Sequence, residues 1–529
     1  MAAATERKKA NKWLITVSIT FGTLMGAIDS SIVNVALPHL RGAVGATLQE
    51  ITWVTTGYVI ATVLVMPLTA FLGRQFGQKR VYMTCLVLFL IGSALCGLAR
   101  SLTSMVIYRA LQGFGAGALQ PTEQAILRQT FSAKEQGTAM ALFGMAIMLG
   151  PAIGPTLGGY IVDNYSWPWI FYINLPVGLL GLFMVASFVE DDEEIREANR
   201  ALAEQQRKNI DWPGIALLSV GLSTLQYFLE EGARNDWFED RAIATCFAVS
   251  VVSLVLFVIR ELTAEVPVVN LRLFADPVFA SGSFIGAIMF AMLMASMFLL
   301  PIFMQELMGF TATQSGMALL PRVLVMMFFT PIVGKLYNHV SPRVLIGAGV
   351  LFYFIGAVQM SHFTLVMTSR DLIAAIMVQG LGFSLLFVPL STVALQNIPR
   401  HKMSDATGLN SLLRQIGGSV GLAIFATLLG RYAVVARNGL LAHLDPTSLA
   451  VHGRLQALQV GFEARGISHA LAPQMAIQAL AGTTAQQALV LSFDKLFLLA
   501  GIVFLGILPL LLFLRTEGTA KVGPIQMEH

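Results

Sequence analysis

Six ionisable side chains interrupt stretches of this chain that are otherwise apolar: Asp29, Arg109, Glu123, Glu306, Arg322 and Arg414. A charge at the centre of a bilayer costs about 2.5 kcal/mol or more, so each is a functional candidate by default. Asp29 stands in GAIDSSIVNVALP. A carboxyl group in such a place binds or releases a proton according to its burial and the cations around it. Asp29 is therefore a candidate proton carrier, and a static ion pair locking two helices is the plainer reading. Arg109 keeps its charge at any working pH and must find an acceptor or water. Asp29 is its candidate partner, and Gln112, one turn on, shares its helix face. Glu306 ends a long apolar run in LPIFMQELMGF. It reads equally as a proton or cation site and as a solvated helix end. Glu123 follows Pro121, and Arg322 and Arg414 can each pair with a carboxylate or a backbone carbonyl.

Glycine and proline carry a second message. In GPAIGPTLGG, Gly150, Gly154 and Gly158 fall four apart on one face, followed by Gly159. Small residues at that spacing let two helices touch. Pro151 and Pro155 remove backbone donors and bend the helix. A bent, closely packed helix suits the rocking of one half of a protein against the other; ordinary tight packing is the alternative. The stretch QGFGAGA (112–118) lies within an apolar run with no strand before it, which excludes a phosphate-cradling loop. Gly334-Lys335 is followed by Leu, and no GxxxxGK[ST] sequence occurs. Without an ATP site the expected energy source is an ion gradient, with no cofactor. The three cysteines, Cys85, Cys96 and Cys246, all lie in apolar stretches, against a disulfide framework or a metal site.

The elements that must hold these residues follow from composition. Charged residues are 12% of the 529 and hydrophobic residues 56%, about half the usual charge of a soluble domain. A net charge of +4 at this length gives no reason to expect nucleic acid. Apolar runs of about 20 residues, enough to cross a core of roughly 30 Å, occur fourteen times: 13–37, 51–73, 80–98, 104–127, 137–162, 169–189, 212–229, 242–260, 278–305, 314–335, 342–362, 371–396, 405–432 and 490–514. The first run is too long for a signal peptide and reads as an uncleaved span. With both termini placed in the cytoplasm, Lys and Arg of the loops favour the inside by roughly two to one. Residues 190–211 form a charged linker, helical in part, and 436–488 a long outer segment whose second half has amphipathic helical spacing. A weak repeat relates AFLGRQFGQKR (70–80) to GKLYNHVSPRV (334–344). It divides the chain into a six-helix bundle (1–189), the linker, two inserted helices with the loop after them (212–277), a second six-helix bundle (278–515) and a cytoplasmic tail (516–529). Parallel repeats of this kind mark a large class of transporters with the substrate site between the halves.

These motifs together resemble a known family, the fourteen-span drug:proton antiporters of the EmrB/QacA type within the major facilitator superfamily. IDSSIVNVALP (28–38) resembles the family's first-span signature and RALQGFGAG (109–117) its fourth-span motif, whose arginine is assigned to proton coupling. GPAIGPTLGG resembles the fifth-span motif of exporters, WPWIFYINLPVG (167–178) the start of the sixth span, and GLNSLLRQIGGSVG (408–421) the penultimate one. Four positions depart from the family. Arg74 and Gln75 stand where Asp then Arg precede the central Gly77 of the cytoplasmic gate loop, which also carries Lys79; this puts the usual charge relay in doubt. Pro168 replaces a common arginine, and Glu123 a small polar residue.

The resemblance implies an all-α integral membrane protein with two six-helix bundles and two inserted helices, fourteen spans in all, and not an enzyme. It implies proton-coupled multidrug efflux by alternating access, with Asp29, Arg109 and Glu306 in proton coupling. Asn34, Gln112, Glu123, Met292 and Arg414 are assigned to the substrate cavity, where the Met-rich run 289–298 can repack around varied amphiphiles; lipid contact or helix packing accounts for that run equally well. Export of one dedicated metabolite (a fatty acid, siderophore or aromatic acid) and nutrient import are the alternatives. The expected location is a bacterial inner membrane, multi-pass, with both termini cytoplasmic. The long segment 436–488 is similar to that of the EmrB branch, whose members work with a periplasmic adaptor and an outer-membrane channel. The implied partners are therefore small lipophilic substrates, protons, that adaptor and channel, and further copies of the chain within the assembly.

Overall fold

A computed structural model describes residues 11–514 except Leu48, Ala133, Val366, Pro446 and Thr447, and without the side chains of Pro151, Ala152, Ala312 and Ser369. The expected tail at 516–529, the basic residues at 7–9 and the bending role of the Pro151 ring lie outside what is described. Among the described residues every regular element is a helix. In chain order they are α1 (Lys12–Val44), α2 (Trp53–Phe76), α3 (Gln78–Gly97), α4 (Leu102–Thr130), α5 (Gln136–Asn164), α6 (Trp169–Tyr172), α7 (Asn174–Phe188), α8 (Glu193–Lys208), α9 (Trp212–Glu231), α10 (Arg241–Thr263), α11 (Pro277–Glu306), α12 (Ala312–Leu336), α13 (Pro342–Met360), α14 (Ser369–Val393), α15 (Met403–Ala442), α16 (Leu449–Glu463) and α17 (Ala472–Leu505).

Among the described residues thirteen helices, α6 and α7 counting as one, are long and apolar enough to cross a membrane. The fourteenth, α4, has the length, at 29 residues, but is too polar to qualify by composition. Its Arg109, Gln112, Glu123 and Gln124 are all buried inside the protein, where partners from neighbouring helices replace lipid. Caps set the helix starts. Ser101 opens α4 and Thr311 opens α12, each in a reciprocal capping box. Asp211, Asp240 and Asp276 cap α9, α10 and α11 with their side chains.

The helices sort into two bundles and an inserted pair. In the first bundle α1 packs on α5, α2 and α3 on α4, and α7 on α1 and α3. In the second, α11 packs on α15, α12 and α13 on α14, and α17 on α13 and α15. The bundles meet along two seams, α5 with α12 and α2 with α15. Helices α9 and α10 form a hairpin whose α9 leans on both α2 and α15. Leu218 and Leu222 of α9 join Val63, Met66, Leu409 and Leu412 in one apolar cluster over that seam. The ring of Trp53 stacks on Tyr227, 5.3 Å between centroids. Gln226 donates to Ser419 (2.8 Å) and Trp237 to Thr427 (3.0 Å).

Two spans are longer than their apolar runs suggested. α15 does not end near 432 but continues to Ala442, and α17 starts at Ala472 rather than near 490. At 1.5 Å per residue their 40 and 34 residues extend about 60 and 51 Å, well beyond a core of roughly 30 Å. The segment 436–488 is thus largely the overhang of two spanning helices with α16 packed on α17. The charged linker forms α8, capped by Asp192.

Candidate functional site

The first bundle closes around one buried polar network. Asp29 of α1 and Arg109 of α4 are both sequestered from solvent. Arg109 Nη1 donates to Asp29 Oδ2 at 2.6 Å and to Gln112 Oε1 at 2.6 Å. The other carboxylate oxygen, Oδ1, accepts from Gln112 Nε2 (2.8 Å) and from Asn174 Nδ2 of α7 (2.9 Å). Ser93 of α3 accepts from Gln112 (3.1 Å) and Asn174 (2.9 Å) and donates to the Phe171 carbonyl (2.9 Å). Arg109 Nε reaches the Val54 carbonyl at 3.3 Å, and its guanidinium lies 4.1 Å from the Tyr58 ring centroid and 5.8 Å from that of Phe171. This approach depends on Gly92, where a Cβ would stand 2.7 Å from the backbone of Gln112. A buried charge pair is tolerated only when its remaining lone pairs and protons are satisfied, and here three donors converge on one carboxylate. Neutralising Asp29 would strip Arg109 of its counter-charge and slacken a node shared by α1, α3, α4 and α7.

The expected meeting of Asp29, Arg109 and Gln112 is present. Gln112 is sealed into the Asp29 network, so it does not stand on an open cavity wall. Asn174, Ser93 and Tyr58 were not singled out from sequence; a lone asparagine in the apolar stretch YINLPVG was the available signal. The other candidates are dispersed. Glu123 is fully buried between α4 and α1, where Thr20 donates to its Oε1 at 2.9 Å. Asn34 is exposed on α1 and makes only a long bond to its own helix at Ser30. Met292 is buried in the apolar core. Arg414 donates to Ser391 (3.1 Å) between the rings of Phe290 and Phe387, 5.6 and 5.4 Å away. Arg322 donates to Ser296 (3.1 Å) under the Phe383 ring. Neither arginine has a carboxylate among the described ion pairs. Glu306 is the exposed last residue of α11 and belongs to the other bundle; this geometry matches the solvated helix end, not a partner of Asp29.

The glycine face of α5 contacts α1 within its own bundle. A Cβ on Gly150 would lie 2.5 Å from the Ala27 carbonyl carbon, one on Gly158 2.7 Å from Ile32 Cγ1, and one on Gly154 would meet the Ser31 hydroxyl. Ser31 donates to the Gly150 carbonyl at 3.0 Å. Gly159 turns toward Thr313, and Pro155 toward Gly316, on α12. Between the bundles α5 and α12 approach closely elsewhere, at Gly137 and Gly334, where a Cβ on either would lie 2.5 or 2.8 Å from the other's carbonyl oxygen.

At the end where α2 turns into α3, the loop face, the halves are tied shut. Arg74 Nη1 donates to both oxygens of Asp405 on α15, at 2.8 and 2.6 Å, and both side chains are 5% exposed. Arg74 Nε also reaches Gln206 of α8 at 3.0 Å. Gln78 donates to Ser404 (2.8 Å), Gln129 to the Arg400 carbonyl (3.1 Å), Arg400 to the Gln129 carbonyl (2.6 Å) and Asn338 to the Lys134 carbonyl (2.8 Å). Gly77 adopts φ +87°, conformational ground that favours glycine. There Asp191 accepts from the Lys79 amide at 2.9 Å, in space that a Cβ on Gly77 would occupy. Where an acid was expected on α2, Arg74 thus places a cation, and the acid it pairs with, Asp405, sits on α15.

Comparison with known proteins matches residues 19–422 to the Major Facilitator Superfamily. The chain is 32% identical to the multidrug export protein EmrB of Haemophilus influenzae, over 95% of each chain. It is 30% identical to the fatty acid resistance protein FarB of Neisseria gonorrhoeae over 94% of each, and 29% identical to EmrB of Escherichia coli over 96% of each. Among solved structures it is similar to the proton:xylose symporter XylE (TM-score 0.57, 13% identity, 94% of this chain and 96% of that one) and to the human organic anion transporter MFSD10 (TM-score 0.55, 13% identity, 93% and 99%). At that identity the likeness is one of fold.

Proposed function

The chain belongs to the major facilitator superfamily, in the EmrB branch of its drug:proton antiporters, and on that premise we propose that it couples multidrug efflux to proton entry through Asp29 and Arg109. It is a multi-pass membrane transporter of small molecules and not an enzyme. The observation that carries the coupling is the convergence of Arg109, Gln112 and Asn174 on the Asp29 carboxylate. An ionised Asp29 holds four helices at one point. A proton on it removes the charge that Arg109 needs, weakens the acceptor for Gln112 and Asn174, and shifts the balance between arrangements of the bundle. A charge-assisted bond of this kind is worth about 1.5–3 kcal/mol, enough to bias a two-state protein by one to two powers of ten.

The further parts of the proposal are these. The protein lies in a bacterial inner membrane with both termini and the loop face in the cytoplasm, so the tied loop face is the outward-facing arrangement. The proton gradient supplies the energy and no cofactor is needed. Lipophilic or amphiphilic compounds enter between the halves from the cytoplasm or inner leaflet, at a site to which Asn34, Met292 and Arg414 contribute. The overhanging ends of α15 and α17 meet a periplasmic adaptor that leads to an outer-membrane channel.

Asp29→Asn is the test. In inverted vesicles or proteoliposomes the variant should lose drug accumulation driven by a pH gradient. Normal proton-driven transport by that variant refutes the assignment. The likeness to FarB favours one second reading, export of fatty acids as a dedicated substrate. Survival of a deletion strain across a panel of drugs and long-chain fatty acids separates the two.

A further inference from the structure

Glu123 is a carboxyl group without a counter-charge. It lies fourteen residues beyond Arg109 on α4, about 21 Å along the helix, so it is no part of the Asp29 network. It is wholly buried. Oε1 accepts from the Thr20 hydroxyl, Thr23 lies beside it one turn along α1, and Oε2 has no hydrogen-bond partner among the described residues. The buried charged groups of α4 and of the helices packed against it are engaged elsewhere. Asp29 and Arg109 bind each other, Arg74 binds Asp405, Arg128 binds Gln136, Arg414 binds Ser391 and Lys79 binds the Ala186 carbonyl. Tyr82 of α3, a titratable group close enough to feel the charge of Glu123, gives its hydroxyl hydrogen to the Ile19 carbonyl. An ionised carboxylate in this place would be a buried, unpaired charge supported by one or two hydroxyls, which is among the most unfavourable arrangements in a protein.

The surroundings are polar and incompletely hydrogen-bonded. Thr23 Oγ1, Thr122 Oγ1 and both amide atoms of Gln124 are buried and unpartnered around the same stretch of α1 and α4. Such groups take up water when space opens. On α1, Thr20 and Asp29 are nine residues apart, about 13 Å, with Thr20 toward the loop face. We propose that Glu123 is a second proton-binding group on the α1–α4 seam. It holds a proton while the loop face is tied shut and releases it to that side when the halves part and water reaches Thr20, Thr23 and Gln124. The proton bound to the carboxyl oxygen passes to water and the carboxylate remains. Reloaded from the opposite side once the loop face has closed again, Glu123 moves one proton more per cycle than Asp29 alone provides. This rests on proton coupling as read above, and extends it to a residue with no counterpart in that network.

The test uses purified protein in proteoliposomes, with protons and drug counted together, and infrared difference spectra between low and high pH. Glu123→Gln should lower the proton-to-drug ratio by one and lose one protonated-carboxyl band. An unchanged ratio together with an unchanged band overturns the proposal. If Glu123→Gln does not fold, Glu123→Asp decides: a carboxyl band displaced from its wild-type position supports the proposal, and a band left in place overturns it. Asp29→Asn measured alongside keeps the two readings apart, because normal proton-driven transport by Asp29→Asn sinks the coupling role of Asp29, whereas the Glu123 band is read independently of transport.

Discussion

Removing either side of the Arg74–Asp405 pair should open the loop face, and the size of the effect can be worked from the geometry. Arg74 places one guanidinium nitrogen against both oxygens of Asp405, at 2.8 and 2.6 Å, with both side chains 5% exposed. Deleting one partner of a buried pair leaves the other charge stranded, at about 3–5 kcal/mol. That is a factor of roughly two to four powers of ten in the ratio of closed to open molecules. Arg74→Ala and Asp405→Ala should each shift the protein away from the arrangement seen here. The double variant, with no stranded charge, should be less perturbed than the sum of the two. Arg74→Asp combined with Asp405→Arg should recover most of the loss, since the charges exchange places on the same two helices. Disulfide trapping between cysteines at positions 134 and 338, whose loops touch through Asn338 and the Lys134 carbonyl, reports closure directly. Trapping rates unchanged in Arg74→Ala, or single effects that simply add, would refute the latch.

Three other outcomes follow from the packing. Arg109→Lys keeps the charge but loses the planar guanidinium, whose Nη1 bonds Asp29 and Gln112 while its Nε reaches the Val54 carbonyl and its face stacks on Tyr58. It should lose about 1.5–3 kcal/mol of interaction and most proton-driven transport, and near-normal transport in vesicles would count against the network. Gly150→Ala forces a methyl group against the Ala27 backbone and should destabilise by about 1–3 kcal/mol. Thermal denaturation followed by size-exclusion chromatography reads this, and an unchanged midpoint would contradict the contact. Trp53→Ala removes the stack on Tyr227 and should weaken the hold of α9 on α2 by about 0.5–1.5 kcal/mol; a double-mutant cycle with Tyr227→Ala showing no coupling would contradict it.

The spans were legible because apolar runs of bilayer length leave few alternatives, and even α4, whose buried polar residues lower its hydropathy, was read as a span at 104–127. Arg109 and Gln112 were legible as a pair because three residues on a helix share a face, and a buried arginine requires an acid. What completes the network was not. Asn174 of α7 reaches Asp29 directly and Ser93 of α3 braces Gln112 and Asn174 behind it, and nothing local in either stretch records that convergence. The glycine spacing announced a close helix contact but not its partner, α1, because periodicity identifies a face and not what lies against it. The pairing of Arg74 could not be resolved while Asp405 was one acid among many, 331 residues away along the chain. The overhang of α15 and α17 was hidden for another reason: outside the lipid, helix no longer has to be apolar, so hydropathy stops where the membrane does while the hydrogen-bonded backbone continues.

That continuity has a mechanical consequence. α15 carries Asp405 in its first turn and, without a break, reaches Ala442 about 56 Å away. A rod of that length pivoted near one end converts each degree of tilt into roughly 1 Å of travel at the other. Unlatching Arg74 at one end and sweeping the tip through the space outside the lipid are therefore a single displacement of one lever. Any body resting against the tip senses the state of the latch without a separate transmission.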